Sequence, residues 1–196
     1  MFNQLILATH NPNKIKEVRE ILAPFKIEVI GADDLNLPDI DETGDTFHKN
    51  ALLKAQAAFK ATGKPVLADD SGLCIPALDG MPGVLSARFA AAHGGYPAVF
   101  SYLNELLENK SRAAYFICSM VLVLSENQTV SFEGRVDGHL NTEPSGTHTF
   151  GYDPIFVPDG YTDTFGVLDS DVKNKISHRA RAMAQLVDFL QKADFK

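Results

Sequence analysis

Asp69, Asp70 and Ser71 place two carboxylates and a hydroxyl side by side, directly after an apolar segment at residues 66–68. This pattern predicts a buried strand that ends in a turn, because a strand delivers its last residues to a fixed place in the fold. Gly72 would let the backbone turn sharply and leave the polar side chains facing a crevice. Since Asp, Ser and Gly are also ordinary turn-forming residues, a solvated turn without a function is the alternative.

A second polar stretch, residues 9–14, lies between a short apolar segment and a helical pattern. A strand, a turn and a helix start in this order direct backbone N–H groups and a partial positive charge toward an anion. Lys14 in the first helical turn is unfavourable for the helix dipole, which indicates a negative ligand nearby. Capping of the helix by Asn11 or Asn13 would explain the same residues without a ligand, and the sequence leaves both interpretations open.

Composition limits the class of partner. The chain has 196 residues, 45% of them hydrophobic, which predicts one globular domain or two tightly joined lobes. The net charge of −7 and the pI near 5.3 argue against a nucleic-acid polymer as the main partner, because proteins that bind the phosphate backbone carry a basic face. A small anion can still bind where a few Lys and Arg side chains converge or a divalent metal is bound.

The N-terminal segment and the cysteines indicate a cytoplasmic protein. Polar residues begin at Thr9 after only a few apolar ones, so we expect no signal peptide, and no apolar run approaches membrane-spanning length. Cys74 and Cys118 have neither a Cys-x-x-Cys nor a metal-ligand spacing. We therefore expect both to be buried, reduced thiols.

Hydrophobic periodicity predicts the elements that position these residues. Strands are expected at residues 4–8, 27–30, 66–68, 112–124 and 129–136, the last two as an antiparallel hairpin. Helices are expected after residue 14, at 47–62, around 99–106 and from 177 onward. Residues 76–97, with Arg88, are expected to form a long binding loop, and Lys173 is expected in a loop before the last helix.

Four separated motifs occur along the chain: Thr9-x-Asn-x-x-Lys14, Asp69-Asp-Ser-Gly-Leu73, Phe150-Gly-Tyr-Asp-Pro154 and Ser177-His-Arg179. Together they closely resemble the inosine triphosphate pyrophosphatase family over nearly the whole chain. The resemblance implies an α/β fold with a mixed elongated β-sheet flanked by helices, one domain over residues 1–196 with two lobes around a central nucleotide-binding cleft. It also implies a homodimer that hydrolyses ITP, dITP or XTP with Mg²⁺ to the monophosphate and pyrophosphate, clearing deaminated purines from the nucleotide pool.

The resemblance also assigns roles to individual residues. Contacts on the phosphate side are Thr9, His10, Asn11, Asn13, Lys14 and Ser71, with the backbone N–H groups of His10 and Asn13 as donors. Lys54 and Arg88 fall, by their spacing, where the family has basic residues near the substrate. Contacts on the base side are Phe150, Gly151, Tyr152, Asp153, Lys173, His178 and Arg179. Glu42 and Asp70 are the implied Mg²⁺ ligands; Asp70 also activates the attacking water, and Lys14 neutralises the phosphates.

The resemblance leaves open the role of Asp69 and the shape of the loop before Phe150. Asp69 is left between a metal-related carboxylate and a structural role in which it accepts backbone N–H groups. His148 and Thr149 depart from the small or flexible residues expected before Phe150, which puts the shape of that loop in doubt.

Other classes of protein are weaker explanations of these residues. A nucleotide-binding regulator without catalysis would not need Lys14, Glu42 and Asp70 together. A pyrophosphatase acting on modified pyrimidines is disfavoured by the residues at 150–153 and 177–179. The class of haloacid-type phosphatases explains these residues least well.

Overall fold

A six-stranded β-sheet is the frame of the computed structural model, which describes residues 2–147 and 150–194. Its strands are β1 (Gln4–Leu7), β2 (Glu28–Gly31), β3 (Val66–Cys74), β4 (Ala113–Ser125), β5 (Gln128–Leu140) and β6 (Phe156–Pro158). The α-helices are α1 (Pro12–Leu22), α2 (Phe47–Thr62), α3 (Ser86–Ala92), α4 (Tyr96–Leu106), α5 (Ser170–Ile176) and α6 (His178–Asp194). His148 and Thr149, which depart from the family pattern, lie outside the described residues.

The sheet mixes parallel and antiparallel neighbours in the order β2-β1-β3-β4-β5-β6. β1 is parallel to β2 and to β3, with Ile6 opposite Val66. β6 is antiparallel to β5, with Leu140 opposite Phe156. A two-residue turn at 126–127 joins β4 to β5, a connection that only antiparallel neighbours allow. The predicted α/β fold with a mixed sheet is therefore confirmed.

Two compact units make up the chain, and each is assembled from separate stretches of sequence. The first comprises Met1–Asp70, Cys118–Glu133 and Ala182–Lys196, and the second comprises Ser71–Ile117 and Gly134–Arg181. The boundaries fall inside β3, β4, β5 and α6, so each unit holds part of these elements. The expected single domain with two lobes around a cleft stays a prediction.

Successive side chains of the strands enter two different cores in the first unit. Leu5 and Leu7 of β1 pack in a cluster with buried residues of α1 and α6, including Val18 and Leu186. Ile6, between them, packs instead with the alanines of α2. Because neighbouring side chains of a strand point to opposite faces, helices cover both faces of the sheet in this unit.

An aromatic core fills the second unit. The Phe156 ring centroid lies 4.6 Å from that of Phe116 and 5.4 Å from that of Phe165. Val99 and Leu103 of α4 belong to the same buried cluster. This packing anchors the segment around residue 150 that carries the predicted base contacts.

Helix α2 begins and ends where the sequence predicts. The Thr46 hydroxyl accepts a hydrogen bond from the Lys49 N–H at 3.1 Å, as an N-cap does. At the other end Gly63 adopts a φ of 64° and donates its N–H to the Phe59 carbonyl at 2.7 Å. A left-handed residue at this position favours glycine, which explains the stop.

The predicted turn at residues 69–72 is wrong, because β3 continues as a strand through Cys74. In the sheet β3 pairs with β1 at Val66 and Leu67, and β4 is its neighbour on the other side. Such neighbours can satisfy the backbone N–H and C=O groups of a polar segment, which removes the need for a turn. Asp69 and Asp70 are therefore presented by the body of a strand.

Two predicted loops contain helices. Residues 76–97 hold α3 and the start of α4, which places Arg88 on a helix, and Lys173 lies within α5. Both α3 and α5 have only seven residues. So few residues complete barely two turns, and the apolar periodicity that identifies longer helices does not develop.

Both cysteines are buried, as the sequence predicts. Burial raises the pKa of the Cys74 thiol, which favours the neutral form. Within the described ranges, no helix combines the length and the apolar character needed to cross a membrane.

Candidate functional site

The turn after β1 comes close to the carboxylates of β3. Because the two strands are parallel, with Leu7 opposite Leu67, the residues that follow each of them reach the same part of the first unit. Lys14 on α1 and Asp69 on β3 are in direct contact there. Strand pairing thus unites two polar stretches separated by more than fifty residues.

Asn11 caps helix α1. Its side-chain oxygen accepts the backbone N–H of Asn13 at 3.0 Å and that of Lys14 at 3.5 Å, and its own N–H donates to the Thr9 hydroxyl at 3.2 Å. Pro12 occupies the first helical position, where a missing N–H costs nothing. The structure therefore shows the capping interpretation of Asn11. The phosphate contacts expected from Thr9, Asn11 and Asn13 stay predictions.

His10 lies between two carboxylates of the acidic segment that follows β2. Its Nδ1 is 2.5 Å from Oδ1 of Asp33, and its Nε2 is 3.3 Å from Oδ1 of Asp39. The hydrogen bond with Asp33 raises the pKa of His10; burial opposes this shift, and the charge of Asp39 adds to it. The His10 side chain therefore ties the turn after β1 to this acidic segment.

Replacing His10 with glutamine is expected to destabilise the protein more at about pH 5.5 than at about pH 9. The pKa of His10 in the folded state lies above the reference value of 6.5, so its stabilisation is fully present below that value. This stabilisation is lost as the pH rises through the folded-state pKa. Melting temperatures of the two proteins at both pH values measure the effect.

Lys49→Gln is the control for this comparison, since Lys49 is exposed and its ion pair with Asp45 contains no histidine. Its destabilisation should be the same at both pH values. Equal destabilisation by His10→Gln at both pH values would contradict the ion pair of His10 with Asp33 and Asp39.

Lys14 and Asp69 form a shielded ion pair. The Lys14 ammonium donates to both carboxylate oxygens of Asp69, at 2.9 and 2.8 Å. Only 5% of the Asp69 side chain and 17% of the Lys14 side chain are exposed, so water screens the pair weakly. One role of Asp69 is therefore to hold the Lys14 ammonium in place.

Lys54 and Glu42 form a second pair in the same unit. The Lys54 ammonium donates to Oε1 of Glu42 at 2.6 Å. Burial by itself would lower the pKa of Lys54, but the charges of Asp69, Glu42 and Asp70 together raise it. Lys54 therefore keeps its charge within a group of carboxylates.

Asp70 is buried and is held by an amide. Nδ2 of Asn50 on α2 donates to Oδ2 of Asp70 at 3.0 Å. Burial raises the pKa of Asp70; Lys54 and the Asn50 hydrogen bond oppose the shift, and Glu42 and Asp69 add to it. The result is a carboxylate that is more basic than an exposed Asp.

Asn50 belongs to this site although none of the four sequence motifs includes it. Its side-chain oxygen also accepts the backbone N–H of Gly44 at 2.7 Å, and the residue is 0% exposed. The available signal was its place on α2, four residues before Lys54 and among buried alanines. An Asn on the buried face of a helix needs hydrogen-bond partners, and this requirement points to a polar site.

The segment with Phe150 presents one aromatic ring to solvent and buries the next. Phe150 is 45% exposed. Tyr152 is 3% exposed, and its hydroxyl donates to the Ser86 carbonyl at 2.9 Å. Gly151 between them has a φ of 63°, a left-handed conformation that favours glycine. The Tyr152 side chain thus anchors this segment in the core, whereas Phe150 is available for stacking.

Asp153 and Lys173 form an ion pair in the second unit. The Lys173 ammonium donates to Oδ2 of Asp153, which is 3% exposed. The same ammonium lies 5.7 Å from the ring centroid of Phe165, within the range of a cation–π contact. Lys173 is therefore held at a defined place by two residues, one charged and one aromatic.

His178 and Arg179 begin helix α6 as predicted, and both are buried. The Ser177 hydroxyl accepts the N–H of Ala180 at 3.1 Å, as an N-cap does. The His178 ring stacks on Phe116, with centroids 4.8 Å apart and planes inclined by 17°. The aromatic core of the second unit thus fixes the residues of the Ser177-His-Arg179 motif.

The second unit also contains Ser71, a predicted phosphate contact, and Arg88, a predicted substrate contact. Ser71 follows Asp70 on β3 and is partly exposed, and Arg88 is exposed on α3. The structure thus brings Lys14, Glu42, Lys54, Asp69 and Asp70 together within the first unit. It places the predicted base contacts in the second. The roles of all these residues toward a nucleotide stay predictions.

Comparisons with known proteins find relatives over nearly the whole chain. A model described as the Ham1 family matches residues 5–189. A dITP/XTP pyrophosphatase of Ruegeria pomeroyi is 47% identical, covering 93% of each chain, and one of Bacillus subtilis is 43% identical, covering 97% of this chain and 98% of its own. The structure of a HAM1 protein from Coxiella burnetii matches with a TM-score of 0.89 at 39% identity, covering 97% of this chain and 100% of that one.

Proposed function

This chain belongs to the Ham1 family, and from that premise we propose that it hydrolyses dITP, XTP and ITP to the nucleoside monophosphate and pyrophosphate. This reaction removes deaminated purines from the nucleotide pool. The observation that carries the proposal is the group of Lys14, Lys54, Glu42, Asp69 and Asp70 in the first unit. Hydrolysis of a triphosphate is catalysed mainly by positioned charges, and this group supplies charges of both signs.

Mg²⁺ is the cofactor that this reaction requires, and Glu42 and Asp70 are the residues that would hold it. In the part of the chain that the structure describes, no three His, Cys, Asp or Glu side chains are grouped to hold a metal ion. Two carboxylates fit Mg²⁺ nonetheless, because this ion keeps several waters and shares its remaining ligands with substrate phosphates. Bound there, Mg²⁺ neutralises phosphate charge and polarises the phosphoryl group.

Lys14 supplies the protein's own positive charge to the phosphates. Its ammonium is held by both oxygens of Asp69, so a contact with phosphate requires little further ordering of the side chain. The N-terminus of α1 directs its partial positive charge to the same region. Together they stabilise the negative charge that the pyrophosphate carries as it leaves.

Asp70 takes the proton of the attacking water. The water oxygen forms a bond to the α-phosphorus, the bond from that phosphorus to the bridging oxygen breaks, and pyrophosphate leaves with the electron pair. Burial and the hydrogen bond from Asn50 hold the Asp70 carboxylate in a defined orientation. A positioned base of this kind is what water activation requires.

The base of the nucleotide is recognised by residues of the second unit. The exposed Phe150 ring stacks on the purine, and stacking favours any base. Selection comes instead from hydrogen bonding by the buried Arg179 or a backbone N–H, with Asp153, Lys173 and His178 as further contacts. The expected homodimer and cytoplasmic location stay predictions.

Removal of Mg²⁺ is expected to abolish pyrophosphate release from dITP and XTP, since the phosphate charges then meet only the positive groups of the protein itself. Release is measured with excess chelator and again after Mg²⁺ is restored, with dITP, XTP, ITP, GTP and ATP as substrates. Full recovery on restoring Mg²⁺ is the control for intact protein. Release that persists in chelator would contradict the metal requirement, and orthophosphate as the product would contradict the proposed bond cleavage.

A further inference from the structure

We propose that Asn50 is a positioning residue that sets the placement of Asp70 relative to the turn that carries Glu42. The inference rests on the proposed function, in which these two carboxylates hold one Mg²⁺. Asn50 is completely buried, although burial of a carboxamide is costly unless its polar atoms are hydrogen-bonded. Its hydrogen bonds reach two different segments of the chain.

The carboxamide of Asn50 uses a donor and an acceptor at the same time. Nδ2 donates to Oδ2 of Asp70 at 3.0 Å, and Oδ1 accepts the backbone N–H of Gly44 at 2.7 Å. Asn combines both groups on one short side chain, whereas a carboxylate lacks the donor and an aliphatic side chain lacks both. Asn50 therefore links β3 to the backbone two residues beyond Glu42.

Helix α2 holds both carboxylates from one face. Asn50 and Lys54 are four residues apart, so their side chains lie one above the other. Asn50 contacts Asp70 and Gly44, and Lys54 pairs with Glu42 at 2.6 Å. Because a helix is a rigid support, these contacts from α2 fix the distance between Glu42 and Asp70.

Gly44 permits the close approach that this link needs. A Cβ atom at residue 44 would lie 2.6 Å from Oδ1 of Asn50 and 2.8 Å from Cβ of Lys49. Neither distance is sterically allowed, so an alanine there would displace the turn or the Asn50 amide. Gly44→Ala thus disturbs the link from its other end without removing the Asn50 side chain.

Asn50→Leu, which has a similar volume and no polar side-chain atoms, is expected to lower kcat for dITP by about 10- to 100-fold, as loss of a residue that orients metal ligands commonly does. The KM for dITP should change little, because Lys14 and the turn after β1 are untouched. The affinity for Mn²⁺ alone, followed by the paramagnetic signal of the unbound ion, should fall over the same range.

Thr46→Ala is the control for lost stability. It removes the N-cap of the same helix and destabilises α2, yet it leaves both hydrogen bonds of Asn50 in place. Its kcat and Mn²⁺ affinity should equal those of the wild type at a temperature where both proteins are folded. A residue that only stabilises the fold would make Asn50→Leu behave like this control.

Gly44→Ala keeps the inference testable if Asn50→Leu does not fold. It should lower kcat and Mn²⁺ affinity in the same sense, and where both variants fold the double variant should be no worse than Asn50→Leu. If the wild type is active and Asn50→Leu has the same kcat, the role of Asn50 is overturned and the proposed function stands. If only Gly44→Ala folds, an unchanged kcat in that variant has the same meaning. A wild type that releases no pyrophosphate from any nucleotide would overturn both.

Discussion

Replacing Asp70 with asparagine is expected to lower the turnover of dITP by about 10²- to 10⁴-fold, the usual contribution of a positioned acid or base. The variant amide cannot take a proton from water, and it is a weaker ligand for Mg²⁺ than a carboxylate. Asn has the shape of Asp, and its oxygen can still accept the hydrogen bond from Asn50. The fold should therefore survive, and pyrophosphate release at saturating Mg²⁺ and dITP measures the effect.

Asp45→Asn is the matched control for the charge change. Asp45 is an exposed carboxylate whose partner, Lys49, is also on the surface. This variant loses the same charge and should keep wild-type turnover. Turnover close to that of the wild type in a folded Asp70→Asn would remove Asp70 from the proposed mechanism.

The kcat/KM for dITP or XTP is expected to exceed that for ATP by about 10⁴-fold, because a site built for one hydrogen-bond pattern rejects the opposite one by roughly that factor. The deaminated purines carry an acceptor oxygen at the 6-position, where adenine carries an amino donor. A buried donor, such as the Arg179 guanidinium, is satisfied by the oxygen but would face a second donor in ATP. Rates of pyrophosphate release from each nucleotide give the ratio.

Two substitutions separate selection from affinity. Arg179→Met should reduce the preference for dITP over ATP. Phe150→Ala should weaken the binding of both nucleotides and leave the ratio of their kcat/KM values nearly unchanged, because stacking does not distinguish the bases. Arg181→Met is the control, since Arg181 is an exposed arginine of the same helix that donates to the Arg135 carbonyl. Comparable release from dITP and ATP by the wild type would contradict selection by a buried donor.

The family of the chain could be predicted from its sequence. Four motifs between residues 9 and 179 led to the resemblance to inosine triphosphate pyrophosphatases, and the Ham1 family match over residues 5–189 confirms it. The boundaries of α2 were predictable for a local reason, since Thr46 and Gly63 satisfy the helix ends by themselves. Elements whose limits depend on their neighbours were not predictable in the same way.

The polar run at residues 69–72 shows this difference. Its composition predicts a turn, yet the residues lie within β3, because the place of β3 in the sheet overrides local preference. Tyr152 is a second example, because its motif does not indicate that its side chain packs in the core with its hydroxyl donating to the Ser86 carbonyl; its contact with the base stays a prediction. In both cases the deciding partners are distant in sequence.

The sequence by itself determined the chemistry available at Asp69 and Asp70. Through the resemblance of its motifs, it also determined the family of the chain. Only the tertiary structure shows the different partners of the two carboxylates, because Lys14 from α1 contacts Asp69 and Asn50 from α2 contacts Asp70. These partners lie 55 and 20 residues away, respectively, and come into contact through the parallel pairing of β1 with β3 and the packing of α2. Such contacts depend on the folded arrangement of strands and helices, which the spacing of motifs does not contain.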